Sequence, residues 1–110
     1  MNAWVQLELA TVSTVHNIRI TNRMDCCGYR LSKMEVRVGS SKVTKEHQGA
    51  ITSNTKCGAY AGPGKDGQIL TIQCLEPIIG KYITIQTLAS DPQQINMAEV
   101  EVFGGNQFIY

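Results

Sequence analysis

Arg23, Asp25, Cys26, Cys27, Tyr29 and Arg30 fall within one stretch of eight residues, Arg23-Met24-Asp25-Cys26-Cys27-Gly28-Tyr29-Arg30. A guanidinium carries a rigid fork of N–H donors and no acceptor, whereas an ionised carboxylate only accepts. An Arg-Asp-Arg set can therefore hold its own members by ion pairing and still turn N–H groups outward. Such groups suit a ligand rich in hydroxyls, and a sugar is the obvious example.

The two adjacent cysteines are the second unusual feature. Four cysteines in a chain of 110 residues suggest a disulfide framework and an oxidising compartment, with three connectivities open on paper. Cys57 and Cys74 stand at the two ends of a Gly-rich segment. Closing that loop of about 18 residues would contribute about 3 kcal/mol on the chain-entropy view. Cys26 and Cys27 are then left for each other. Consecutive Cα atoms lie about 3.8 Å apart, below the usual disulfide range of about 4.4–6.8 Å, so a bond between them makes a strained, rigid ring. The alternative is a pair of thiols pointing to opposite sides of a loop, and a strained bond of this kind could also serve as a redox switch.

These residues need a frame, and the remaining chain supplies strands. Val5, Leu7 and Leu9 alternate along a first strand, and Val15, Ile18 and Ile20 mark a second around an irregularity near Asn17. A third runs from about Ser32 to Val38, and a weaker segment lies near His47 to Ser53. The Gly- and Pro-punctuated stretch Gly58 to Gly67 reads as loop. Strand character resumes over Ile69 to Cys74, Tyr82 to Leu88 and, after the break at Asp91-Pro92, Met97 to Phe103. About seven short strands without helical spacing predict an all-β antiparallel sandwich, a single domain over residues 1–110. Its expected core is Trp4, Leu7, Ile18, Ile20, Met34, Val36, Val38, Leu70, Ile72, Ile83, Ile85, Val100 and Val102.

Composition narrows the function classes. Ten Lys and Arg stand against nine Asp and Glu, and no basic stripe appears, which argues against nucleic acid. The apolar runs are too short to span a bilayer, and Met1-Asn2-Ala3-Trp4 has neither the basic nor the apolar region of a signal peptide. The expectation is a soluble chain without membrane insertion, its secretion inferred from the cysteines and, below, from family. His16 and His47 have no Ser or Cys partner at a recognisable spacing, so no nucleophile and base are assembled and no enzyme is expected.

The run Ile18-Arg19-Ile20-Thr21-Asn22-Arg23-Met24-Asp25-Cys26-Cys27-Gly28-Tyr29-Arg30-Leu31 resembles the signature of the F-type lectins, the fucolectins. Arg23, Asp25 and Arg30 match that family's Arg-x-Asp-x4-Arg/Lys sugar motif. Glu35 to Gly39 follows at the expected distance, and Ala98 to Gly104 resembles the closing strand, so nearly the whole chain is covered. The resemblance implies a jelly-roll, discoidin-like sandwich that binds terminal L-fucose of fucosylated glycans without catalysis. It implies that Arg23 and Arg30 donate to the sugar and that a Cys26–Cys27 disulfide packs on its apolar edge. Asp25 would orient the arginines, and Tyr29 would stack on the ring or pack on its own domain. Cys57 and Cys74 match the family's second disulfide.

Three departures from the family pattern stand out. The family motif opens with a His that would lie upstream of Met1, so the chain is expected to start inside the domain; neither His16 nor His47 fills that role. One lost donor of this kind costs about 1–3 kcal/mol. Trp4 to Leu9 resembles a Trp-x-x-Asp-Leu strand with Gln6 or Glu8 in place of the acid. The family's structural calcium is held partly by an upstream loop and partly by a Cys carbonyl with a following Glu. Here that pair is Ala98 and Glu99, short of the six to eight oxygens calcium takes. The alternative to a lectin is a discoidin-like interaction or adhesion module that has lost sugar binding. In either case the unpaired edges of a shortened sandwich would call for a homo-oligomer or a strand-completing partner.

Overall fold

The computed structural model describes residues 4–30, 32–44, 53–88 and 97–110, with Arg30 described through its backbone. The described elements are strands β1 (Trp4–Asn22), β2 (Met34–Gly39), β3 (Thr55–Tyr60), β4 (Ile69–Thr87), β5 (Met97–Gly104) and β6 (Gln107–Phe108), with one 3-10 turn at Gly28–Arg30. They form one antiparallel sheet in the order β3-β2-β4-β1-β5-β6.

The all-β sandwich reading holds, but the strands are fewer and longer than the alternation predicts. The two expected strands around Leu7 and Ile18 are one strand of 19 residues. Ile69 to Cys74 and Tyr82 to Leu88 likewise merge into β4, which also spans 19 residues. Irregular register between Glu8 and Ser13 and between Val15 and Asn17 interrupts the β1 ladder without ending it. Such bulges bend a strand and increase its twist, so a change of face that reads in sequence as a break is a bend here. β3 runs into the stretch read as loop and takes in Gly58, Ala59 and Tyr60. Residues 47–52 of the weaker expected segment, and Asp91-Pro92, lie outside the described residues.

The bends turn one sheet into two facing layers. The second half of β4 pairs with β2 and with the first half of β1, while its first half pairs with Asn17 to Thr21 of β1, whose other edge takes β5. β3, bonded to β2, lies over the first half of β4: Cys57 is bridged to Cys74, and a Cβ on Gly58 would stand 2.7 Å from Ile72 Cγ2. Between the layers Val15, Ile18, Ile20, Met34, Val36, Val38, Ile83, Ile85 and Val102 are essentially without solvent contact. Each such side chain stabilises the fold by about 1.5–3 kcal/mol relative to exposure. Trp4, Leu7 and Val100 are half-buried at the margins, not central as expected, and Leu9, Val43, Cys57, Leu70, Ile72 and Cys74 complete the buried apolar set among the described residues.

Candidate functional site

Strand β1 carries the chain out of the core and into the loop at Arg23. Period-2 alternation places Asn22 on the same inward face as Ile18 and Ile20, and Asn22 is 1% exposed. A buried amide must find partners. Asn22 Nδ2 donates to the carbonyls of Gly28 and Lys65, both at 2.9 Å, and Asn22 Oδ1 accepts from the Arg23 N–H at 3.0 Å. One side chain thus ties the start of the loop to its middle and to the neighbouring loop, residues 61–68.

That neighbouring loop is the floor. Asp66 Oδ1 accepts the Gly28 N–H at 2.7 Å, and the Arg23 carbonyl accepts the Gly67 N–H at 2.8 Å. Gly28 is buried so tightly here that a Cβ would lie 2.6 Å from Asp66 N and from Lys65 C. Gly67 takes φ +71° under Met24, which an L side chain adopts only with strain. The Cys57–Cys74 bridge ties β3 to β4, the two strands between which this floor runs. Beyond the far end of the loop, Lys33 N donates to the Ala61 carbonyl and the Lys33 carbonyl accepts from Leu88 N.

On this support four of the predicted residues are joined in two pairs. Arg23 Nε and Nη2 donate to Asp25 Oδ1 and Oδ2, both at 2.7 Å, a fork-on-fork pair. The Asp25 carboxyl is held far below the usual carboxylate range, first by the Arg23 hydrogen bonds and then by backbone N–H groups of Asp25 and Cys26, which outweigh its partial desolvation. The Arg23 guanidinium is raised in turn, chiefly by the same bonds. Cys26 and Cys27 form a disulfide, with Cys26 exposed and Cys27 half-buried. Cys27 adopts φ +64°, a conformation costing a non-Gly residue of order 1 kcal/mol or more. Gly28, next in the chain, is the residue most firmly bonded to the floor, so the strained residue is held from one side.

Tyr29 projects into solvent, 56% exposed, and Arg30 closes the 3-10 turn Gly28–Arg30. The loop therefore presents a half-exposed disulfide, an exposed phenol ring and an Arg23 guanidinium whose charge Asp25 balances. Such groups can donate hydrogen bonds and offer apolar surface.

Other candidates lie apart. Gln6 grips the backbone of Val43, accepting from its N–H at 2.8 Å and donating to its carbonyl at 3.3 Å, while Glu8 pairs with Lys81 at 3.4 Å. The His16 carbonyl accepts a hydrogen bond from Gln73, and His47 lies outside the described residues. Ala98 and Glu99 are exposed on β5, with Glu99 opposite Thr21. Among the described residues no three His, Cys, Asp or Glu side chains gather as a metal site. One carboxylate and one carbonyl do not fit a calcium ion.

Sequence reasoning missed Asn22, Asp66 and the close seat of Gly28. Only Asn22 left a signal, as a polar residue continuing the buried face of an alternating strand.

Residues 1–85 match the family described as the NedA-like, galactose-binding domain of the F5/F8 type C group. Fucolectin-4 of Anguilla japonica is 34% identical over 101 residues, which are 92% of this chain and 52% of that protein. The chain spans about half the length of the fucolectins it matches. The crystal structure of an F-lectin from Morone saxatilis serum superposes with a TM-score of 0.74 at 31% identity, covering 94% of this chain and 33% of that one. The lectin domain of lectinolysin complexed with Lewis B antigen shares the fold, with a TM-score of 0.66 at 21% identity over 93% of this chain and 64% of its own. The chain belongs to the NedA-like, galactose-binding domain family of the F5/F8 type C group, and its domain is similar to those of the F-type lectins.

Proposed function

We propose that this chain is a non-catalytic lectin domain that takes terminal L-fucose of fucosylated glycans at the loop Arg23 to Arg30. The observation that carries the reading is the forked Arg23–Asp25 pair beside the exposed Cys26–Cys27 disulfide. Fucose presents hydroxyls on one side and a methyl group on another. Arg23 and Arg30 donate to the hydroxyls, the disulfide and Tyr29 meet the apolar edge, and Asp25 fixes the arginine rotamer before the ligand arrives. Freezing that rotamer in advance saves entropy of about 2 kcal/mol that binding would otherwise cost. The neighbours named as fucolectins and fucose-binding modules support this class of ligand.

An extracellular location belongs to the same reading, in keeping with two disulfides and a relative from serum. So does a homo-oligomer formed on the outer edge of β3, which would multiply weak sites. Retention on an L-fucose matrix, with elution by free L-fucose, tests the assignment. Arg23→Ala and Arg30→Ala should pass through unretained; retention equal to the parent chain would move the site elsewhere.

A further inference from the structure

The outer face of the second layer carries a shallow depression of about 280 Å³ lined by Asn17, Arg19, Thr71, Phe103, Gly105 and Asn106. Register explains how it is assembled. Ile18 and Ile20 point inward, so Asn17 and Arg19 point outward; Arg19 lies opposite Thr71 on β4 and Glu101 on β5, and Asn17 lies opposite Phe103. The two-residue turn Gly105-Asn106 closes one wall, with φ +68° at Gly105 as a hairpin with glycine at its first central position requires.

Three properties of this depression point to a ligand. The first is rigidity. Arg19 donates to Glu101 through Nε at 2.9 Å and Nη2 at 3.1 Å, and its guanidinium lies 5.0 Å over the Phe103 ring. Phe103 meets Phe108 edge-on at 5.6 Å. The second is unused hydrogen-bonding capacity: the amides of Asn17 and Asn106, the Thr71 hydroxyl and Arg19 Nη1 have no partner among the described residues. The third is charge. Glu101 balances Arg19, and Glu99 adds further acidity on the same strand, so an anion gains nothing here.

We infer that this depression is a second binding site, separate from the Arg23 to Arg30 loop, for one neutral saccharide residue. Amides, a hydroxyl and a guanidinium edge answer the hydroxyls, and the half-buried Phe103 of the lining offers apolar ring surface to the C–H groups. Arg19 precedes Arg23 by four residues, about 13 Å along the strand, too far for one ring to occupy both sites. The inference stands on this geometry alone and does not depend on what the loop binds.

The test is a titration followed by 1H–15N spectra of the whole chain with methyl β-D-galactoside and methyl α-L-fucoside, and with glucuronate as the anionic control. Saturable shifts of the Asn17 and Asn106 side-chain amides and the Arg19 Nε–H with either neutral glycoside are expected, and they should persist in Arg23→Ala. The double variant Asn17→Ala/Asn106→Ala, whose lost groups hold no other described residue, should weaken the affinity read from the Arg19 response at least tenfold while keeping its fold. No shift with either glycoside, loss of the shifts in Arg23→Ala, or tighter binding of glucuronate would each overturn the second site.

Discussion

At the scale of single residues, the loop is set by a few short bonds around Asn22 and Arg23. Asn22→Ala leaves the carbonyls of Gly28 and Lys65 without their donor in a buried place. A loss of about 1–3 kcal/mol in chemical denaturation is expected, together with weaker fucose binding. Gly28→Ala drives a methyl group into the backbone of the floor and should cost a similar 1–3 kcal/mol by overpacking. Arg30→Ala, by contrast, should lose sugar binding while the thermal midpoint stays nearly unchanged; equal losses of both would make the residue structural. Asp25 sets the pH response. Its folded pKa is depressed, so the Arg23 pair is fully formed above the ordinary aspartate range and is lost only as pH falls through the folded value. Fucose affinity measured from pH 8 to pH 5 should therefore be flat with respect to Asp25, and a decline centred near neutrality would contradict its role.

At the scale of elements, the two disulfides do different work. Cys57–Cys74 is buried and ties together β3 and β4, whose connection carries Lys65, Asp66 and Gly67. Replacing both cysteines by serine should lower stability by about 3 kcal/mol and weaken fucose binding with it. Cys26–Cys27 lies at the surface of a loop, so its double serine variant should keep most of the stability and lose affinity. Equal thermal midpoints for the two variants would refute this division. The same elements show what the residue pattern could and could not reveal. The Arg-x-Asp-Cys-Cys run and the inward row Ile18, Ile20, Met34, Val36 and Val38 were legible, since local spacing determines them. The merging of four expected strands into β1 and β4 was not, because a bulge and a break both interrupt alternation. Nor was Asp66, which meets Gly28 from 38 residues away through a contact that only the packing of two loops creates.

At the scale of the whole molecule, a sheet bent into two layers leaves β3 and β6 at its ends among the described strands, and residues 4–8 of β1 and 69–73 of β4 paired on one side. β6 is two residues long, which makes β3 an edge able to pair with another chain. Sedimentation velocity should show a species larger than the 12.1 kDa chain at high concentration; a monomer throughout would leave each loop to act alone. The near-neutral charge of +1 and the paired Arg23 suit an uncharged glycan. The most direct measurement of the central claim is isothermal titration of the oxidised protein with L-fucose, in calcium and in a chelator, with galactose as control. Saturable heat with L-fucose in both buffers, and weaker or no heat with galactose, is the predicted result. No binding of either sugar would contradict the lectin reading and leave the fold as an interaction module.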